Sequence, residues 1–160
     1  MSDTPDWLAR LTQPPHAVLP SGGTVLAFDF GLQRTGVANG DLLLGIAHPL
    51  TTITAEANDA RFAAIEALIR EWQPVWLVVG LPLNEDGTVH EFSNRCRRFA
   101  NQLHGRFNLP VTLVDERYSS LHAGSLLNET GKHGRKQKPV LDQVAAQSIL
   151  QSFFTLHSKG

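Results

Sequence analysis

Apolar and polar residues follow two rhythms along the chain. Between Thr24 and Leu50 three short runs rich in strand formers, TVLAFDF, TGVAN and LLLGIAHPL, are separated by links of a few residues. Runs of this length with short links predict consecutive strands in an antiparallel meander. From residue 58 to 73 the period lengthens, and Phe62, Ile65, Leu68, Ile69 and Trp72 fall on one face of a helix that Pro74 ends. VWLVVG is a continuous apolar run, the pattern of a strand covered on both faces. Residues 91–107 return to the helical period through Phe92, Cys96, Phe99 and Leu103; VTLVDE reads as a further strand and residues 119–128 as a short helix. After a polar, basic stretch at 131–138, Pro139 suits the first turn of a last helix, where its missing N–H is not needed. That helix carries Leu141, Val144, Ala145, Ile149, Phe153 and Leu156. The order β-β-β-α-β-α-β-α predicts an α/β fold: a five-stranded mixed sheet, its first three strands antiparallel, with helices on both faces. Residues 24–160 are expected to form one domain. Residues 1–23, punctuated by Pro5, Pro14, Pro15, Pro20, Gly22 and Gly23, read as an irregular N-terminal arm, in which Trp7, Leu8 and Leu11 can make one docking turn.

Composition narrows the class. A 160-residue chain with 42% hydrophobic residues has enough apolar surface for one real core. The formal net charge of −1 means that any affinity for a polyanion must come from local patches of Lys and Arg. The single cysteine, Cys96, excludes an internal disulfide and is expected to be a buried core thiol. No secretory signal and no membrane-length apolar run is visible, so a soluble, cytoplasmic protein with no membrane partner is expected.

The acids inside apolar runs carry the chemistry. Burying a carboxylate costs several kcal/mol unless it is paired or bound to a metal. Asp29 ends the first strand, Asp115 and Glu116 end the last one, and Asp142 lies in the first turn of the final helix. Each has an ordinary explanation: Asp29 can order the turn at Gly31, Asp115 can accept backbone N–H groups, Glu116 can pair with Arg117, and Asp142 can favour the positive helix end. Strand alternation sends Asp115 and Glu116 to opposite faces and leaves open which one joins Asp29. Together, with the first strand central and the last helix beside it, the acids would meet at one sheet edge. Two carboxylates ~4 Å apart repel by ~4 kcal/mol at an effective dielectric near 20, which Mg²⁺ or Mn²⁺ would relieve. Two such ions ~3.5–4 Å apart suit in-line displacement at a phosphodiester. No His or Cys spacing for metal is present.

The segments AFDFGLQRTGVA, VVGLPLNEDGT, VDERYSS and DQVAAQSIL, in this order and spacing, resemble the YqgF family over residues 24–156. Members are described as pre-16S rRNA nucleases and as Holliday junction resolvases. The resemblance implies a ribonuclease H-like fold and an acidic triad at Asp29, Glu116 and Asp142, both catalytic and metal-binding, with Glu116 taken over Asp115. It also implies metal-dependent endonucleolytic cleavage, a hydrolase activity, in 5′ maturation of 16S rRNA. The chain departs from the family at Leu32 and Gln33, where Thr-Lys is usual, at Asn39, and at Ser120, where Thr is common; no acid is affected.

The candidate substrate contacts are Arg34, Asn84, Arg117, Arg135, Lys136 and Lys138. The last three belong to the basic stretch GKHGRKQK, placed for phosphate contact just before Asp142, with Gly131 and Gly134 to let it close. Asn84 lies in a turn-rich loop after the fourth strand, where a plain turn is the competing reading. Arg95, Arg97, Arg98 and Arg106 form a second basic group that does not share one helical face. The expected partner is nucleic acid, RNA ahead of branched DNA, with pre-ribosomal particles as a further partner. The alternatives are a Holliday junction resolvase, a non-catalytic RNA-binding ribosome-assembly factor, and an actin-like phosphotransferase. For the last, one copy of DFGLQRTGVA in 160 residues is too little chain.

Overall fold

The computed structural model describes residues 6–8, 19–116 and 138–157, with the side chain of Lys138 excepted. The strands are β1 (Thr24–Asp29), β2 (Arg34–Asp41), β3 (Ala47–Thr54), β4 (Trp76–Leu81) and β5 (Val111–Asp115), and the helices are α1 (Asn58–Trp72), α2 (Glu91–Phe107) and α3 (Lys138–Leu156). They form one five-stranded sheet in the order β3-β2-β1-β4-β5. β1 is central, antiparallel to β2 and parallel to β4; β2–β3 is antiparallel and β4–β5 parallel. The mixed sheet with an antiparallel first half is as expected. The short helix expected at 119–128 and the basic stretch before Lys138 lie outside the described residues.

Period-two alternation divides the apolar residues of the sheet between two layers. Leu26, Phe28, Val37, Leu77, Val79 and Leu113 pack with Phe62 and Ile65 of α1 and Cys96, Phe99 and Leu103 of α2. Val25, Ala27, Ala38, Trp76, Val78 and Val114 pack with Ala146, Ile149, Leu150 and Phe153 of α3. Among the described residues, two helices therefore cover one face and α3 covers the other. Trp7 and Leu8, in a helical turn at 6–8, lie against the first layer, and the Arg97 guanidinium sits 5.1 Å from the centroid of the Trp7 ring.

Local chemistry sets the element ends. α1 closes with Gln73 in the left-handed region (φ 47°), and Pro74 forbids a further turn. α2 closes in the same way at Asn108 (φ 54°). At its start Ser93 Oγ accepts the His90 N–H at 3.1 Å and donates to the Pro82 carbonyl, which ties α2 to the loop after β4. One expectation is corrected: the third strand does not begin at Leu42. Asp41 Oδ1 accepts the Leu43 N–H at 2.8 Å, the Gly45 N–H bonds the Asp41 carbonyl at 2.8 Å, and Gly45 takes φ 67°. This aspartate-initiated turn leaves Leu43 and Leu44 exposed and delays β3 to Ala47.

β3 is an edge strand, and α3 seals its rim with a row of glutamines one turn apart. Gln151 accepts the Ala47 N–H at 3.1 Å and donates to the Gly45 carbonyl at 3.0 Å. Gln147 donates to the Ala47 carbonyl at 3.2 Å, and Gln143 to Thr52 Oγ1 at 3.3 Å. Thr52 in turn donates to the Pro139 carbonyl at 2.6 Å. Among the described residues no helix is long and apolar enough to cross a membrane.

Candidate active site

Asp29 is the last residue of the central strand and shares the parity of Val25 and Ala27, so its carboxylate is on the α3 face. On β5, Val114 belongs to the α3 layer and Leu113 to the other. The same alternation carries Glu116, and not Asp115, to the α3 side. Asp142 arrives there on the first turns of α3. The choice that the residues alone left open is thus made by which face α3 covers.

Two glycines clear the space between these acids. Gly36 on β2 pairs with Asp29 in the register. A Cβ at Gly36 would lie 1.9 Å from the Asp142 carbonyl oxygen, so only glycine lets the start of α3 rest on β2 beside Asp29. On the other side of β1, a Cβ at Gly80 of β4 would lie 2.3 Å from Glu116 Oε1 and 2.5 Å from Ile149 Cδ1. The Glu116 side chain therefore crosses β4 through the notch that Gly80 leaves. Neither glycine stands out as a site residue in the sequence. VVGLP reads as a strand running into a turn, and TGVAN as a strand with a tolerated glycine. Their signal is that each leaves a gap on the face of its strand that the acids share.

Electrostatics records the crowding. Burial pushes Asp29 up to about 6; its hydrogen bond with Glu116 opposes the rise and the nearby Asp142 charge adds to it. Burial pushes Glu116 further, to about 8, and the Asp29 charge, the hydrogen bond with Asp29 and the Asp115 charge all act in the same direction. Both carboxyls are thus held above their ordinary range, and as a pair they favour sharing a proton. Asp142 has a different partner: Arg34 Nε donates to its Oδ2 at 2.7 Å, in a pair that is only partly exposed. Beneath the site Cys96 is buried, as expected, and burial together with the Glu116 and Asp29 charges drives its thiol strongly up, which leaves it unreactive.

The donor set fits a hard divalent cation. All three groups are carboxylates, and two of them share a proton where a cation would supply the missing positive charge. Among the described residues no three His, Cys, Asp or Glu side chains already stand as a closed cage, and Asp142 is turned to Arg34.

The structure assigns the candidate substrate residues unequally. Arg34 is at the site and is engaged by Asp142. Asn84 is at the same sheet edge, but its amide donates to Thr88 Oγ1 at 2.9 Å and its backbone closes the same turn. Asp86 accepts from Thr88 as well. Arg117, Arg135 and Lys136 lie outside the described residues, and Lys138 is placed only as the first residue of α3. A residue that the sequence did not single out is Arg61. It is 2% exposed and donates to the carbonyls of Leu32 at 2.7 Å and Ala55 at 3.0 Å and to Asn58 Oδ1 at 2.6 Å. It pins the turn at 30–33, immediately after Asp29, to the start of α1.

Comparison with known proteins adds to this geometry. A family profile described as RuvX: Holliday junction resolvase matches residues 23–156. A protein of Methylobacillus flagellatus named "Putative pre-16S rRNA nuclease" is 63% identical over 140 residues, 88% of this chain and 96% of its own. Proteins of the same name from Chromobacterium violaceum and Nitrosomonas europaea are 64% and 56% identical, over 81% and 89% of this chain and 95% and 96% of theirs. Among solved structures, the yeast mitochondrial Holliday junction resolvase Ydc2 superposes with a TM-score of 0.57 at 12% identity, covering 94% of this chain and 84% of that one. RuvC of T. thermophilus in complex with Holliday junction substrate superposes with a TM-score of 0.53 at 12% identity, covering 84% and 94%. At such identity these likenesses speak for the fold, which is ribonuclease H-like.

Proposed function

The chain belongs to the RuvX family, and from that premise we propose that it is a divalent-metal-dependent endonuclease that matures the 5′ end of pre-16S rRNA, with Asp29, Glu116 and Asp142 as its catalytic acids. The observation that carries the reading is the pairing of Asp29 with Glu116 through the Gly80 notch, with Asp142 beside them. Two buried carboxylates of raised pKa at one sheet edge, Asp29 and Glu116, are costly for stability, which supports reading them as part of a functional cluster. Mg²⁺ or Mn²⁺ ions, two when substrate is bound, would be held by these three acids and would supply charge neutralisation at the phosphate under in-line attack.

The chain's own groups do the rest. β1 and β5 are neighbours of β4 and hold Asp29 and Glu116 on a rigid sheet. Arg34 orients Asp142 and keeps its charge balanced until the site is loaded. To hold a cation Asp29 and Glu116 would have to give up the proton they share, so metal binding would be favoured as pH rises through the range of the pair. The basic stretch with Arg135, Lys136 and Lys138, together with Arg117, supplies phosphate contacts that position the strand without reading its sequence. The relatives' shared name supports rRNA as the substrate, and with it a cytoplasmic role on pre-ribosomal particles.

The description of the family favours one second reading, cleavage of four-way DNA junctions. The two are separated by offering purified protein both a 5′-extended 16S precursor RNA and a four-way junction, with Mg²⁺ or Mn²⁺, beside the Asp29→Asn variant. The rRNA reading expects site-specific trimming of the RNA that the variant lacks. It fails if only the junction is cut, or if 16S rRNA 5′ ends stay normal in cells depleted of the protein. Binding without cleavage under either metal, unaffected by loss of Glu116, would leave a non-catalytic assembly factor.

A further inference from the structure

On the face of the sheet opposite α3, the turn at 30–33 is one wall of a cleft of about 450 Å³, a size that admits a nucleotide. The other wall is α2. Arg95, Arg98 and Gln102 stand at spacings of three and four residues, so they share one helical stripe, and all three line the cleft. The other arginines of that basic group are used in packing: Arg97 over the Trp7 ring and Arg106 at 4.2 Å from the centroid of the Phe62 ring. Four arginines that look equivalent in sequence are thereby sorted into two that brace the core and two that face the cleft.

The floor is also positive. Arg61 is nearly fully buried, its hydrogen bonds go only to carbonyl and amide oxygens, and its Nε lacks a partner. Among the described residues no carboxylate neutralises it by an ion pair. A buried cation of this kind is costly, and its field is focused into the adjoining cleft. Against these three arginines the cleft lining has one acid, Glu56, and Glu91 reaches Arg95 only at 3.9 Å with both groups exposed. Such a contact is too weak to hold the Arg95 side chain away from another anion.

The turn at 30–33 separates the cleft from the acidic site. Phe30 directly follows Asp29 and Gln33 directly precedes Arg34. The Phe30 ring is stacked on Phe99 at 4.6 Å and Phe92 at 5.9 Å, and Arg61 holds the Leu32 carbonyl. The wall between cleft and acids is therefore rigid and one short turn thick. We propose that this cleft is a second nucleic-acid subsite, in which Arg95 and Arg98 grip the phosphate backbone of the strand as it leaves the acidic cluster across Phe30 and Leu32. The proposal rests on the nuclease reading for its ligand, and it adds a contact surface on the α2 side.

The test is a salt titration of binding, with a fluorescein-labelled RNA stem carrying a single-stranded 5′ flank as probe and anisotropy as readout. Ca²⁺ is present to balance the acids, and a gel checks that the probe is intact. Each phosphate contact on a single strand contributes about 0.7 to the slope of log K against log salt. The double variant Arg95→Gln/Arg98→Gln changes two exposed side chains and is expected to bind more weakly, with a slope shallower by about 1.4. Arg70→Gln, an exposed arginine on α1, is expected to keep the wild-type slope. Equal slopes for the wild type and the double variant would overturn the subsite while leaving the nuclease reading standing. A comparable loss from Arg70→Gln would reduce the effect to net charge and overturn the subsite too. Failure of the wild type to bind the probe at all would overturn both.

Discussion

Glu116 reaches Asp29 only because Gly80 lies between them: a Cβ at Gly80 would stand 2.3 Å from Glu116 Oε1. The acids come from neighbours of β4, and the missing side chain on β4 is what lets them meet.

The first prediction follows from that contact. Gly80→Ala should displace Glu116 and Ile149, cost about 1–3 kcal/mol of stability as an overpacked site, and reduce cleavage by about two orders of magnitude or more. Thermal melts and initial rates measure the two effects. Gly105→Ala is the matched control, since a Cβ there meets nothing within 4 Å in α2; it should stabilise by about 0.5–1 kcal/mol and leave cleavage intact.

Asp115 and Glu116 are adjacent but part company across the sheet. Glu116→Gln should lower kcat by about 10²–10³-fold, the scale of losing several kcal/mol of transition-state stabilisation. Asp115→Asn should stay within a few-fold of wild type. Equal losses from both would sink the assignment by strand parity.

Stability of the metal-free protein should fall as pH rises. Asp29 and Glu116 both have folded pKa values above their ordinary ones, at about 6 and about 8. The folded state thus binds more protons than the unfolded chain between about pH 4 and 8, and the associated stability, complete below that window, is lost across it. Melting temperatures measured with EDTA from pH 5 to 8.5 should decline, and millimolar Mg²⁺ or Mn²⁺ should restore most of the loss at the alkaline end. A flat EDTA profile would mean that the two carboxyls do not share a proton.

Arg34→Gln removes the partner of Asp142 without removing an acid. Cleavage should drop by about 10–100-fold, the usual effect of losing a group that orients a ligand. The concentration of Mn²⁺ needed for half-maximal rate should shift as well. No shift in that concentration would make Arg34 a substrate contact only.

Much of this architecture is legible in the chain, for reasons that particular residues make plain. Phe92, Cys96, Phe99 and Leu103 repeat at a helical period, and α2 spans the expected residues 91–107. Asp29 interrupts an apolar strand and so announces itself. The sequence points to Leu42 as the start of β3 because three leucines look like strand, while the Asp41 side-chain bond that turns the backbone there leaves no apolar trace. The choice between Asp115 and Glu116 depends on which face α3 covers, a long-range fact that alternation alone does not contain. Gly36, Gly80 and Arg61 are quiet in the sequence because each acts on a residue far along the chain: Asp142, Glu116 and Leu32 respectively.

The glutamine row on α3 ties catalysis to colloidal behaviour. The helix that delivers Asp142 is also the one whose Gln147 and Gln151 occupy the free backbone groups at Ala47, on the outer rim of β3. Any excursion that lifts α3 from the sheet carries Asp142 away from Asp29 and Glu116 and in the same movement bares a strand edge able to pair with another chain. A loosened site and a sticky molecule are then one state, so selection against self-association also keeps Asp142 beside the other two acids.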